Sequence, residues 1–313
     1  MFQRIPSTRS SRSARRVWFK PLTAAVAVLI VLIGPVGAAC GPSDPRQPDA
    51  SHTAVTTVPV PLRDRPDPVL AGLVTAVTNS KTDEADGAYA YIYTQRWHAD
   101  VTASHADPNE VTVIPMRQQV WRAADGSGRQ HTCRLPAVPA AQVPVLIASV
   151  DFSAATCREQ THLRGGLAVA IGEPSGDPDQ LLLQIQAQEP ESGAAGVLRA
   201  IAAVAEGVYL DRLHRAAMLI VLSRVAGLTV IEHQKDPLGR DAVTVRTTTS
   251  LAGARTEDAL LLDPGTGRLL AYQLTTTTAQ GRTIPELVLW VATARVPDAN
   301  TTTVPVALGG RVR

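Results

Sequence analysis

Alternating hydrophobic and polar positions predict a strand and a hairpin in the first half of the chain. Residues 88–100 alternate Tyr89, Tyr91 and Tyr93 with small or apolar residues, which is the period of a half-buried strand. Residues 111–123 form a second run of strand-forming residues. They are followed by the turn ADGSG and a returning run at 129–135. The pattern is typical of a β-hairpin.

A second pattern, apolar residues at helical spacing, predicts four helices. Asp67-Pro68 and Asp177-Pro178 each place an N-cap side chain before a proline at the first helical position. With the spacing that follows, they predict helices from 67 onward, over 180–188, over 194–207 and over 211–226. The last of these is apolar on all sides from Ala217 to Leu222, so we expect it to lie centrally.

The second half returns to strand patterns separated by tight turns. Strands are predicted over 228–233, 242–249, 258–262, 269–278 and 286–296. The turns DPLG and DPGTG separate two pairs of them. Residues 136–176 are rich in proline and glycine, and their pattern predicts no definite element. Strands, then helices, then strands joined by tight turns predict an α+β domain with an antiparallel sheet over 67–298.

The N-terminal segment has the pattern of an export signal ending at Cys40. Residues 1–20 carry six basic and no acidic residues, and residues 21–39 carry no charge. Small residues flank Cys40, which resembles the lipidation site of a bacterial lipoprotein. Two alternatives stay open: cleavage after Ala39, or an uncleaved span of about 28 Å. Arg15-Arg16 also resembles a twin-arginine export signal, alongside general secretion.

Charge divides the chain at the same place. The whole chain has 30 basic and 28 acidic residues, and without the six basic residues before Cys40 the remainder has a net charge of −4. An acidic mature chain gives no electrostatic footprint for nucleic acid. Residues 40–66, rich in proline and small polar residues, are predicted to form a disordered tether, and 299–313 a flexible tail.

Candidate chemistry is sparse. Cys133 and Cys157 either pair in an oxidising compartment or are separate small core residues. The stripe Tyr89, Tyr91, Tyr93 with Trp97 either lines a ligand groove or packs against the sheet. His131 and His162 would lie near a Cys133–Cys157 bridge, but no zinc spacing is present, so we expect no metal and no cofactor. The sequence also contains no catalytic motif, so we expect that the protein is not an enzyme.

Four segments carry a resemblance to a family. They are residues 93–97 (YTQRW), 119–129 (QVWRAADGSGR), 177–179 (DPD) and 261–270 (LLDPGTGRLL). They resemble uncharacterised actinobacterial extracytoplasmic proteins, which typically have one N-terminal membrane segment and genes near sigma-factor genes. The layout also resembles lipoprotein-carrier (LolA-like) domains. That resemblance implies a curved, half-barrel-like antiparallel sheet with helices packed on one face.

Together these features predict a location and a class of function. We expect a protein on the outer face of the cytoplasmic membrane, held by a lipid on Cys40 or by a single span. The layout favours a non-catalytic binding module for an apolar ligand, such as a lipid, or for an envelope protein partner. The alternative, which the family resemblance implies, is an envelope-stress sensor linked to a sigma-factor system.

Overall fold

The computed structural model describes residues 59–80, 87–100, 111–147, 150–167, 169, 171–189, 193–251, 253–279 and 281–301. Within them the helices are α1 (Pro68–Asn79), α2 (Val143–Leu146), α3 (Pro178–Gln188), α4 (Gly193–Gly207) and α5 (Arg212–Arg224). The strands are β1 (Tyr89–Ala99), β2 (Thr112–Ala123), β3 (Gly128–Arg134), β4 (Val138–Pro139), β5 (Thr156–His162), β6 (Thr229–Lys235), β7 (Asp241–Leu251), β8 (Ala254–Leu262), β9 (Leu269–Thr278) and β10 (Gly281–Val296).

Aspartate side chains begin three of these helices, and the sequence predicts two of these caps, Asp67 and Asp177. The carboxylate of Asp67 accepts hydrogen bonds from the backbone N–H groups of Val69 and Leu70 at the start of α1. Asp177 caps α3 in the same way, and Asp211 accepts from the backbone N–H of His214 in α5. Each cap satisfies donors that the first helical turn leaves without an intrahelical partner.

The strands form one open antiparallel sheet in the order β5-β3-β2-β1-β10-β9-β8-β7-β6, with β4 pairing beside β2. The first long strand therefore pairs with the last, from Tyr89 opposite Val296 to His98 opposite Glu286. The α+β class and the open antiparallel sheet, with the four longer helices on one face, are confirmed.

The two faces of the sheet bury different sets of residues. On the helix face, Ile92, Val288, Trp290, Tyr272 and Leu260 pack with residues of α1, α3, α4 and α5. On the opposite face, Trp97, Leu261, Leu287 and Leu289 pack under Ala140, Val143 and Ile147, which belong to a 3₁₀ turn at Ala140–Gln142 and to α2 and its end. Part of the unassigned segment 136–176 thus covers the second face.

Both ends of the folded part extend past the predicted boundaries. Val60, placed in the tether by composition, is buried in the main core. Leu62 pairs with Val225, and the backbone N–H of Arg63 donates to the carbonyl of Arg224 at 2.7 Å. At the other end the indole of Trp121 donates to the carbonyl of Thr301 at 3.1 Å. These pairings join residues distant in sequence, so local composition gives no sign of them.

None of the helices in the described ranges is both long and apolar enough to cross a bilayer. The predicted export segment, Cys40 and the rest of the tether before residue 59 lie outside the described residues, as does the tail after residue 301.

Candidate functional site

Helix α4 lies on the sheet and has two different flanks. Its side chains at Leu198, Ala202 and Ala205 are buried in the core against the sheet. Ile201 and Val204 project from the flank that faces α3 and α5, whereas Arg199 and Glu206 project from the other flank. A helical period of about 3.6 residues separates these two sets. The two flanks form the two candidate sites of this face.

The first site is an apolar pocket between α3, α4 and α5. It is open to solvent, and the space between its side chains has room for about one water molecule. Its wall is aliphatic, and Pro174 and His214 complete its lining. The wall residues are Leu181, Ile185, Ile201, Val204, Leu210 and Met218. A concave apolar site with few polar groups is the usual form of a small-ligand site.

Residues 172–177, called the cap below, lie at this pocket and are held by polar contacts. The backbone N–H of Ser175 donates to Oε1 of Gln184 at 2.8 Å, and Nε2 of Gln184 donates to the carbonyl of Glu173 at 3.1 Å. The guanidinium of Arg122 contacts Oε2 of Glu173 at 3.3 Å. Partly exposed hydrogen bonds of this kind each contribute about 1 kcal/mol, so the cap can separate from the helices at modest cost.

His214 joins the cap to the start of α5. Its Nδ1 lies 2.8 Å from Oδ1 of Asp211, and its ring also donates to the carbonyl of Pro174. The hydrogen bond to Asp211 raises the pKa of His214. The same bond lowers the pKa of Asp211 to about 2. The pocket rim therefore carries a hydrogen-bonded histidine–carboxylate pair rather than an unpaired carboxylate.

The second site is the carboxylate cluster, formed by Glu206, Asp258 and Glu286 on the other flank of α4. Arg96 binds Oε2 of Glu206 at 2.6 Å, and Arg199 lies 3.7 Å from Oδ1 of Asp258. The hydroxyl of Tyr272 donates to Oδ1 of Asp258 at 2.7 Å. Arg96 and Glu286 lie on neighbouring strands β1 and β10, and Asp258 on β8.

Burial raises the pKa of all three carboxyl groups of the cluster. For Glu206 the pKa rises to about 7 because loss of solvation outweighs the attraction of Arg96. The pKa of Glu286 and that of Asp258 are also raised, first by burial, and each is further raised by a neighbouring carboxylate. Within this cluster, Glu206 therefore takes up a proton near neutral pH. Sequence spacing does not reveal the cluster, because its three members come from three separate elements.

Replacing Glu206 with glutamine is expected to stabilise the protein at pH 8 by about 1–3 kcal/mol. Since the pKa of Glu206 is raised from 4.5 to about 7 on folding, its contribution to stability is full below pH 4.5 and is lost as the pH rises through about 7. Glutamine does not titrate and avoids this loss. Urea unfolding at pH 5 and pH 8 measures the difference.

Glu257→Gln is the matched control, because Glu257 pairs with Arg246 at 3.0 Å in a partly exposed cross-strand contact. It is expected to change stability by less than about 1 kcal/mol at either pH. Identical pH profiles for wild type and Glu206→Gln would contradict the expected role of Glu206.

The tyrosine stripe lies on the face away from the helices. Tyr91 is 2% exposed and packs against Trp121, with ring centroids 5.2 Å apart. Trp97 is fully buried in the core of that face. Tyr89 and Tyr93 are partly buried beside Tyr91. Tyr91 and Trp97 therefore pack within the sheet core. All four residues lie on the face of the sheet opposite the apolar pocket. The sequence analysis did not predict that pocket.

The predicted pairing of cysteines is confirmed. Cys133 on β3 and Cys157 on β5 face each other directly in register and form a disulfide. Strand β5 is an edge strand with mostly exposed polar side chains. Closing the loop between Cys133 and Cys157 stabilises the folded state by about 3 kcal/mol in the chain-entropy model. His131 lies beside the bridge, whereas His162 is at the far end of β5, opposite Gly128.

Comparison with known proteins adds no assignment. No family model matches the chain, and no curated protein matches it. The resemblance to actinobacterial extracytoplasmic proteins therefore stays a prediction.

Proposed function

We propose that this chain is a non-catalytic binding module held on the outer face of the cytoplasmic membrane, and that it binds a small apolar group between α3, α4 and α5. The observation that carries the proposal is the apolar pocket behind a polar-bonded cap. Aliphatic side chains from three helices form most of the wall. Among the described residues of the cap, Pro174 alone lines the pocket.

The size of the pocket limits the ligand. The space between the side chains has room for about one water molecule, which is far less than a drug-sized site holds. A short alkyl chain or one apolar side chain of a partner therefore enters only as the cap moves away from the helices. A whole lipid would need the cap and α3 to move apart.

The attachment follows from the N-terminal pattern. A lipid on Cys40 would hold the domain through residues 41–58, and the chain enters the fold at Val60, beside the end of α5. Two acyl chains are enough for stable anchoring, because each buried methylene contributes about 0.8 kcal/mol. The pocket would then work within reach of the membrane surface.

The test uses the methionines of the chain, which are Met1, Met116 and Met218. Met218 lines the pocket, whereas Met116 lies on β2 and serves as an internal reference. With ¹³C-methyl-methionine in the full chain, titration with hexanoate is expected to shift the Met218 methyl signal saturably and to leave Met116 unchanged. Failure of Met218 to respond at millimolar hexanoate would refute the proposal.

A matched pair of substitutions on α4 localises the binding. Val204→Phe fills the pocket and is expected to weaken hexanoate binding at least about tenfold, which corresponds to about 1.4 kcal/mol. Ala203→Phe adds a larger side chain at an exposed position of the same helix and is expected to leave the affinity within about twofold. Equal effects of the two changes would show that the ligand binds elsewhere.

A further inference from the structure

Four side chains form a square on β3 and β5, on the face of the sheet away from the long helices. Cys133 is directly opposite Cys157, and His131 is directly opposite Glu159. Residues two apart on a strand project to the same face, so all four side chains lie on that face together. Cys133 is fully buried, whereas Cys157 is exposed. The square is therefore buried at Cys133 and accessible to solvent at Cys157.

Three of these side chains place ligand atoms close together. Nε2 of His131 lies 3.6 Å from Sγ of Cys133. The possible ligand atoms of His131, Cys133 and Cys157 all lie within 4.8 Å of one another. Glu159 is engaged elsewhere, because its Oε2 accepts from Arg129 at 2.7 Å. A histidine and two cysteines at this separation are a ligand set that zinc prefers once the sulfurs are thiolates.

A hydrogen-bond chain behind His131 fixes its tautomer. The amide Nε2 of Gln119 donates to the hydroxyl of the buried Tyr91 at 2.7 Å, which leaves Oε1 of Gln119 facing His131. Nδ1 of His131 lies 3.3 Å from that Oε1 and donates to it. The lone pair of the imidazole is therefore on Nε2, on the side of the sulfurs. Support of this kind behind a histidine is the usual outer shell of a metal ligand.

We propose that reduction of the Cys133–Cys157 disulfide creates a Zn²⁺ site with His131 Nε2 and the two thiolates as ligands. In the first step a dithiol reductant gives two electrons and two protons to the bridge, the S–S bond breaks, and the reductant becomes a disulfide. In the second step Zn²⁺ displaces one proton from each thiol and bonds to both sulfurs and to Nε2. Solvent on the exposed side of Cys157 completes the coordination.

Disulfide and metal site exclude each other, because a sulfur in the bridge has no thiolate to donate. In the oxidised protein a covalent bond holds the edge strand β5 to β3. In the reduced protein the metal ion holds these two strands together. The site would thus report the redox state of the compartment by exchanging a bridge for an ion.

Cobalt is the probe for the test, because its tetrahedral thiolate complexes absorb in the near ultraviolet and the visible. The full-length protein is reduced with a phosphine and titrated with Co²⁺. The reduced wild type is expected to bind one Co²⁺ with a thiolate-to-cobalt band that Zn²⁺ removes. The oxidised protein is expected to show no such band. A reduced wild type without the band would overturn the proposal.

Substitutions separate the assigned ligands from other histidines. His131→Ala is expected to weaken Co²⁺ binding at least about tenfold, and Gln119→Leu by about 10- to 100-fold while the thiolate band remains. His162→Ala is the control, since His162 shares β5 with Cys157 but lies opposite Gly128. The Co²⁺ affinity of this variant is expected to stay within about twofold of wild type. Equal affinity of His131→Ala and wild type would also overturn the assignment.

Discussion

Replacing Arg240 with methionine is expected to lower the free energy of unfolding by about 3–5 kcal/mol. Arg240 neutralises Asp236, whose side chain has no exposed surface, through a hydrogen bond from Nε at 2.6 Å. The guanidinium also donates to the carbonyls of Trp290 at 2.9 Å and Leu270 at 3.0 Å. Methionine fills the space but leaves a buried carboxylate without its counter-charge. Urea unfolding monitored by circular dichroism measures the loss.

Two controls decide whether the buried charge is the cause. Lys235 and Asp241 flank the same turn and form an ion pair at 2.6 Å, but both are exposed, so Lys235→Met is expected to cost less than about 1 kcal/mol. The double change Asp236→Asn with Arg240→Met removes the orphaned charge and should recover part of the loss. A single Arg240→Met variant within about 1 kcal/mol of wild type would show that the pair contributes little.

The second large effect is expected at Trp290, where alanine should cost about 3–5 kcal/mol. Trp290 is 1% exposed, lies under α4, and its indole donates to the carbonyl of Ala205 at 3.0 Å. A small cleft that is open to solvent already adjoins it beside Val208, Leu210 and Leu269. Truncation enlarges that space and removes the link between sheet and helix. Thermal and urea unfolding both measure the effect.

Trp290→Phe separates packing from hydrogen bonding. Phenylalanine keeps most of the buried ring area but leaves the carbonyl of Ala205 without the indole donor, so we expect a loss of about 1–2 kcal/mol. If phenylalanine and alanine cost the same, the hydrogen bond rather than the ring would carry the stabilisation, and the packing argument would be wrong.

Local patterns were enough to predict most elements of this fold. The Asp-Pro pairs at Asp67 and Asp177 mark helix starts because capping and proline geometry act within one turn. The alternation around Tyr91 marks β1 because a half-buried strand repeats every second residue. Strand β5 was missed because its polar, mostly exposed side chains show no such alternation. Its place is fixed by pairing with β3 and by the Cys133–Cys157 bond.

Local sequence patterns do not predict the two candidate sites, because the residues of each site are distant in sequence. The pocket uses Leu181, Ile201 and Met218, which read in sequence as ordinary core positions of three helices. The carboxylate cluster needs α4 to lie on β1 and β8 before Glu206 comes near Glu286 and, through it, Asp258. No spacing rule connects such residues, because the distance between them in sequence is set by the path of the chain and not by their chemistry.

The sequence by itself determined most of the elements, the α+β class, the charge division at Cys40 and the candidate cysteine pair. Each of these depends on interactions within a few residues or on composition. Only the tertiary structure decided that β1 pairs with β10, that Tyr91 supports Gln119 and His131 on one face, and that the apolar pocket lies on the other. These placements come from burying two faces of one open sheet at once, which is a property of the whole chain.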